Sequence, residues 1–269
     1  TALVQIGTDD ALQALAEGLK SKDSRPYTLE TLTDVGNPLL RELIPQLIEI
    51  VLSSGQNWTD DAIRAIEALE RIDAQGEALA LTLAEVLMDF ESYHNSLCSY
   101  AFEKLFDQPD KFMPPLIESK GAEMTPFFTD ILLRSDYHSE KEVAAKALAL
   151  IGTDNATQVL AEALTRNSAY RATVWALTDV GTPALKQLTP QLVEIAIDPE
   201  EEPGIAIEAL EVLSKIDSQG ETFAQPLATI ISNRKDYDYS IHEYALLKMR
   251  DESGQLIPQL IKINDTETI

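Results

Sequence analysis

The chain has 269 residues, 45% of them hydrophobic, which is enough to bury a sizeable core and long for a single compact one. Lys and Arg number 21 against 45 Asp and Glu, a formal net charge of −24, so the surface repels nucleic-acid phosphates and anionic lipid and favours basic protein partners. The single cysteine, Cys98, excludes an intrachain disulfide, and no apolar run reaches the ~20 residues of a membrane span.

Apolar residues recur at i, i+3, i+4 and i+7 almost throughout, and period-2 alternation is nearly absent, which predicts helices and no strands. In chain order the pattern gives antiparallel helix pairs over 1–19 (its first helix cut short), 24–52, 59–89 and 96–119. An extra helix is expected over 123–134, and further pairs over 139–166, 168–197, 203–232 and 240–263. Starts roughly 30–40 residues apart are the spacing of helical solenoid repeats, in which no pair buries its apolar face alone. Helix starts are expected at Asn37-Pro38, Thr125-Pro126 and Thr182-Pro183, where a capping side chain precedes a proline at the first helical position. Ser139-Glu142, Ser218-Glu221 and Ser240-Glu243 have capping-box spacing, and Trp58 is placed as a staple onto the following helix. Gly36, Gly76, Gly152, Gly181 and Gly220 punctuate the turns.

The chain also repeats itself. LTDVGNPLL at 32–40 returns as LTDVGTPAL at 177–185, and IGTDDALQALAEGL at 6–19 as IGTDNATQVLAEAL at 151–164, both at an offset of 145. Past one deletion the offset becomes 144, matching RIDAQGE at 71–77 to KIDSQGE at 215–221 and MPPLI at 113–117 to IPQLI at 257–261. The expected organisation is a first block of repeats over 1–119, a connecting helix over 120–138 and a second block over 139–269, stacked as one continuous solenoid.

The stretch AAKALALIGTDNATQVLAEAL, with Ala144, Ala145, Ala147, Leu148, Ile151, Gly152, Ala156 and Leu160 in place, resembles the HEAT-like repeats of the phycobilisome-lyase type. ETLTDVGNPLLRELIPQL and WALTDVGTPALKQLTPQL look like diverged copies of the same unit. The resemblance implies an all-α solenoid of about eight antiparallel helix pairs that binds other macromolecules, as in chromophore-lyase subunits, scaffolds and the sensor ends of bacterial signalling ATPases.

Chemistry-bearing motifs are sparse. The chain has no phosphate-binding Gly-x-x-x-x-Gly-Lys-Ser/Thr loop, nucleophile elbow or His-Glu-x-x-His helix. His94, His138 and His242 lack partners at zinc-ligand spacing, and His242 is expected on the surface. Asp9 and Asp154 are placed at helix starts, where negative charge is favoured, and Cys98 as a small packed residue. No catalytic, cofactor-binding or metal-binding set is predicted, and no cofactor.

The two copies act as controls for each other. Trp175 aligns with Glu30 and Tyr170 with Arg25, so both aromatics are expected to be exposed, and an exposed Trp is a favoured interface anchor. On the second helix of each pair, Arg41, Glu42 and Glu49, with counterparts Lys186, Gln187 and Glu194, are expected to project toward a partner. The functional expectation is a non-enzymatic scaffold, adaptor or sensor region that binds a protein, in the cytoplasm, with no nucleic acid or membrane as partner. A lyase acting on a chromophore–protein bond is the alternative, and a nucleic-acid-binding solenoid the next. The chain opens at Thr1 inside a helical pattern, as a piece of a longer protein would.

Overall fold

A computed structural model describes residues 8–35, 37–53, 60–88, 96–165, 168–180, 183–217, 220, 222–233, 235–252, 254 and 256–260, and among them every regular element is helical. The helices are α1 (Asp9–Lys20), α2 (Arg25–Val35), α3 (Ile44–Ser53), α4 (Asp60–Ile72), α5 (Glu77–Met88), α6 (Ser96–Asp107) and α7 (Pro109–Arg134). They continue as α8 (His138–Ile151), α9 (Asp154–Ala163), α10 (Tyr170–Val180), α11 (Thr189–Ala196), α12 (Pro203–Ile216), α13 (Ala224–Ser232) and α14 (Tyr239–Asp251). Two 3-10 segments, Pro38–Leu43 and Pro183–Leu188, lead into α3 and α11. The chain divides into two units, Thr1–Phe127 and Phe128–Ile269.

Each unit is a two-layer stack. In the first, α4 lies against α2 and α6 in one layer, while α3 lies against α1 and α5 in the other. In the second, α8, α10, α12 and α14 follow one another in one layer, and α9, α11 and α13 pack behind them. This is the all-α, HEAT-like repeat fold. The reason is visible in α4 and its copy α12. Ala62, Ala65, Ile66, Ala68, Leu69 and Ile72 are all buried, as are Ala206, Ala209, Leu210 and Leu213, so alanines let neighbouring helices approach while the branched side chains fill the layer between.

The duplicated Asp-x-Gln-Gly turn connects the layers the same way twice. Gly76 and Gly220 adopt left-handed φ values of 77° and 74°. Asp73 Oδ2 accepts the Leu79 N–H at 3.0 Å, and Asp217 Oδ2 accepts both the N–H and the hydroxyl of Thr222. Both carboxylates are buried at the turn; Asp73 satisfies a donor in the first turn of the next helix, and Asp217 holds Thr222, two positions before the next helix begins.

Several helix starts differ from expectation. Pro38 does open an element, with the Asn37 side chain accepting the Leu39 N–H at 3.0 Å, but it opens a 3-10 segment. Pro45 and Pro190 explain this: neither can donate back along an α-helix, so the chain turns tightly before them and α3 and α11 begin afresh. Ser139 and Ser240 do not cap. Ser135 accepts the Tyr137 N–H and donates to Glu140 ahead of α8, and Asp238 caps α14 by accepting from Ser240. Thr153 caps α9 as a helix start of this kind should, with Asp154 in the first turn. Gly36, Trp58, His94, Gly181, Thr182, Ser218 and Glu221 lie outside the described residues.

The expected separate helix over 123–134 does not exist. α7 runs unbroken from Pro109 to Arg134 with Pro114, Pro115 and Pro126 inside it, and Thr125 is buried, its hydroxyl donating to the Gly121 carbonyl at 3.3 Å. A continuous buried stripe of Phe112, Leu116, Met124, Phe127, Phe128, Ile131 and Leu132 outweighs the backbone bonds that proline removes. The division between units falls within this helix.

A polar network crosses the α4–α6 layer. Glu70 meets Lys104 Nζ at 2.9 Å and Gln108 Nε2 at 3.0 Å, and Tyr100 donates to Glu67 at 3.3 Å. Burial raises the Glu70 pKa, but Lys104, Gln108 and Lys111 together outweigh it and hold the carboxyl below its ordinary value. Burial and the surrounding Glu67, Glu70 and Glu103 push the Tyr100 hydroxyl up. Because the folded pKa of Glu70 is depressed, its stabilisation is present above the unfolded value of about 4.3 and is lost as pH falls through the folded one. Glu70→Gln therefore lowers the melting temperature at pH 7, and the gap to wild type closes in thermal melts taken stepwise down to pH 3. A gap that stays constant with pH would remove the carboxylate from this account.

Candidate functional site

A concavity lies in the first unit, between α3 and α5. It has a volume of about 440 Å³ and a lining that falls into a floor and a rim. The floor is Ile44, Ile48 and Leu52 from α3 facing Ala78, Leu81 and Thr82 from α5. Ile44, Ile48 and Leu52 stand one helical turn apart and so form a stripe along α3, while Ala78, Leu81, Thr82 and Glu85 follow the same rule on α5. Leu52 stays 47% exposed, which leaves apolar surface at the mouth. The rim is Arg41, Asp73, Gln75, Glu77 and Glu85.

A second depression of about 560 Å³ shares Gln75 and Glu77 with the first and continues to Pro114, Pro115, Glu118 and Ser119 of α7. Glu85 is engaged, its carboxylate 3.1 Å from Lys120 Nζ, and Glu85 and Glu123 together hold Lys120 above the ordinary lysine range. Glu77 and Glu118 make no ion pair among the described residues. A surface of this kind can take an apolar ridge flanked by cations. Among the described residues no group of His, Cys, Asp and Glu could hold a metal ion.

The residues singled out from the sequence do not gather into one place. Arg41, Glu42 and Glu49 are exposed in the first unit, and Lys186, Gln187 and Glu194 are exposed in the second. Arg41 belongs to the groove rim, and Glu49 lines a smaller depression of about 170 Å³ with Lys20 and Arg25. Gln187 donates to Asp154 at 3.4 Å. Trp175 is 40% exposed on α10, with its ring edge-on to that of His138 at 4.8 Å between centroids. Exposed Tyr137 precedes His138 in the chain.

Tyr170 is a correction: it is only 7% exposed, and its hydroxyl donates to Glu201 Oε2 at 2.6 Å. Its counterpart Arg25 also reaches an acid of the next repeat, Asp61 at 3.7 Å, at a position that does not correspond to Glu201. Accepting Arg in one copy thus marks a ring of hydrogen-bonding reach rather than open solvent. His242, expected on the surface, is likewise buried at 7% exposure on α14. Cys98 is buried, with its thiol 3.5 Å from the Val86 carbonyl.

The groove was not legible as such. Ile44, Ile48 and Leu81 have the spacing of core residues, and only the helix that faces each one decides whether it is covered. The available signal was divergence between copies: Leu81 aligns with Gln225, and Glu85 with Thr229.

No family model and no curated protein matches the chain. It is similar to the solved structure of human deoxyhypusine hydroxylase in complex with glycerol, at 18% identity and a TM-score of 0.40 over 93% of this chain and 86% of that one. The expectation that the chain is non-enzymatic is corrected by this finding: the similar solved structure is that of an enzyme. Among the described residues, no helix is long and apolar enough to cross a membrane.

Proposed function

We propose that the chain is a HEAT-like protein-binding module, of the phycobilisome-lyase repeat type, whose recognition surface is the groove between α3 and α5. The observation that carries this reading is the apolar floor of half-buried Ile44, Ile48 and Leu81 and exposed Leu52, between two helices that are each fixed from behind by buried Leu47, Val51, Leu79 and Leu83. A preformed groove loses little conformational entropy on binding, so a partner recovers most of the contact it makes. The net charge of −24 favours basic partners and disfavours nucleic acid.

The test is affinity capture with wild type and with Ile48→Lys, followed by a titration of the captured protein against both. Ile48 is half-buried at the floor, so a lysine there can extend its ammonium to solvent without unfolding α3. Expected is a stoichiometric partner whose affinity drops at least tenfold with the variant while the circular dichroism stays unchanged. Equal binding by the variant would remove the groove from this role. An absorbance change on mixing the chain with a bilin and an acceptor protein would replace the reading with a lyase.

A further inference from the structure

The duplication lets the groove be compared with its own copy. At offsets of 145 and 144, the floor residues Ile44, Ile48, Leu52 and Leu81 correspond to Thr189, Val193, Ile197 and Gln225. The rim diverges further. Arg41, Asp73, Glu77, Glu85 and Glu118 correspond to Lys186, Asp217, Glu221, Thr229 and Lys262. One cation and four acids in the first set give −3, whereas two cations and two acids in the second give zero. Counting Lys120 against its counterpart Asn264 changes the first to −2 and leaves the second at zero. The difference comes from the floor positions Ile44 and Leu81, which are polar in the second copy, and from the rim positions Glu85 and Glu118, which lose their negative charge there.

We infer that the two units are not equivalent binders: the first unit's groove takes a basic amphipathic helix, and the matching positions of the second unit do not. This rests on the proposed protein-binding function and names its ligand class. The geometry asks for a helix because the groove is walled by two parallel stripes with one-turn spacing, Ile44, Ile48 and Leu52 on one side and Ala78, Leu81 and Glu85 on the other. A third helix fits such walls with apolar side chains at i, i+3, i+4 and i+7. Its charge is set by Glu77 and Glu118, the two acids that line the adjoining depression without an ion pair, and by the overall field of the chain. Lys or Arg at one end of the ligand helix would extend past the Gln75–Glu77 turn toward Pro115 and Glu118.

The probe is a fluorescein-labelled synthetic peptide of 18 residues, leucine on one face and lysine on the other, beside a twin with glutamate for lysine. Fluorescence anisotropy is read against the full chain at low and high salt. Expected is binding of the lysine peptide that weakens with salt, on the order of tenfold weaker in the triple variant Leu81→Gln, Glu85→Thr, Glu118→Lys, which gives the first unit the second unit's residues. The reciprocal variant, Gln225→Leu with Thr229→Glu, is expected to gain a second equivalent of bound peptide. Circular dichroism of each variant establishes that it remains folded, and Glu118→Gln alone, at an exposed position, gives a smaller loss in the same direction. Equal affinity for the glutamate twin, or an unchanged affinity in both the triple variant and Glu118→Gln, would overturn the inference. No binding of either peptide to wild type would overturn it too, while a partner captured through Ile48 would leave the broader protein-binding function standing.

Discussion

Replacing Gly76 by alanine lowers the stability of the chain by about 2–4 kcal/mol, the sum of a left-handed backbone penalty and an overpacking cost. Gly76 sits at φ 77°, and a Cβ there would lie 2.9 Å from Lys111 Cε and 3.0 Å from Phe112 Cε1. The lysine stem can swing away. Phe112 cannot, because it is fully buried. The duplicated turn supplies a graded series. Gly220, at φ 74°, would bring a Cβ to 3.0 Å from Leu256 Cδ2, the far end of a flexible side chain that gives way more readily. Gly152, at φ 62°, meets nothing nearer than 3.8 Å and carries the backbone term alone, about 1–2 kcal/mol. Urea denaturation followed by circular dichroism should therefore rank the losses Gly76→Ala, then Gly220→Ala, then Gly152→Ala. Pairing Gly76→Ala with Phe112→Leu, the residue type found at the second copy's position 256, should cost less than the two single changes added, since the smaller side chain relieves the clash. A Gly76→Ala loss no larger than that of Gly152→Ala would show that Phe112 does not confine the turn.

Pro126→Ala is expected to raise stability by about 1–3 kcal/mol, a large effect in the unusual direction. In α7 this proline stands in a helix interior, where it has no N–H to donate to the carbonyl four residues earlier and its ring crowds that carbonyl. It is exposed, so alanine gives up no core contact while restoring a backbone bond. The sign discriminates between two structures of the same segment. If Thr125 and Pro126 opened a new helix, the proline would occupy its favoured first position, and alanine would be neutral or destabilising through the gain in unfolded-chain entropy. A thermal melt of the variant at neutral pH decides it, and a lower melting temperature would break α7 at residue 126.

That segment marks where local sequence stops being sufficient. Thr125-Pro126 has the chemistry of a helix start, as Asn37-Pro38 does. At Asn37 the backbone follows the local signal, because Asn37 accepts the Leu39 N–H and Pro45 forces a second restart soon after. At Pro126 the buried Met124, Phe127 and Phe128 on both sides of the proline override it. The same contrast separates the caps: Thr153 caps α9 by its own hydroxyl, Ser240 loses the role to Asp238, and α8, which takes Ser139 inside it, starts with no side-chain cap.

The amino-acid order alone determined that this protein is helical, that its helices come in antiparallel pairs, that one block is written twice and that turns fall at Gly76, Gly152 and Gly220. These follow from periodicity, from cap and proline chemistry and from glycine's freedom at positive φ, all of which act over a few residues. Tertiary structure alone decided which side chains meet solvent. Tyr170 and His242 went inside, Trp175 stayed partly out against His138, and Ile44, Ile48 and Leu81, spaced like core residues, were left lining an open groove. The reason is that a helix face is buried only by what stacks against it, and in a repeat fold that neighbour arrives from about 30–40 residues away.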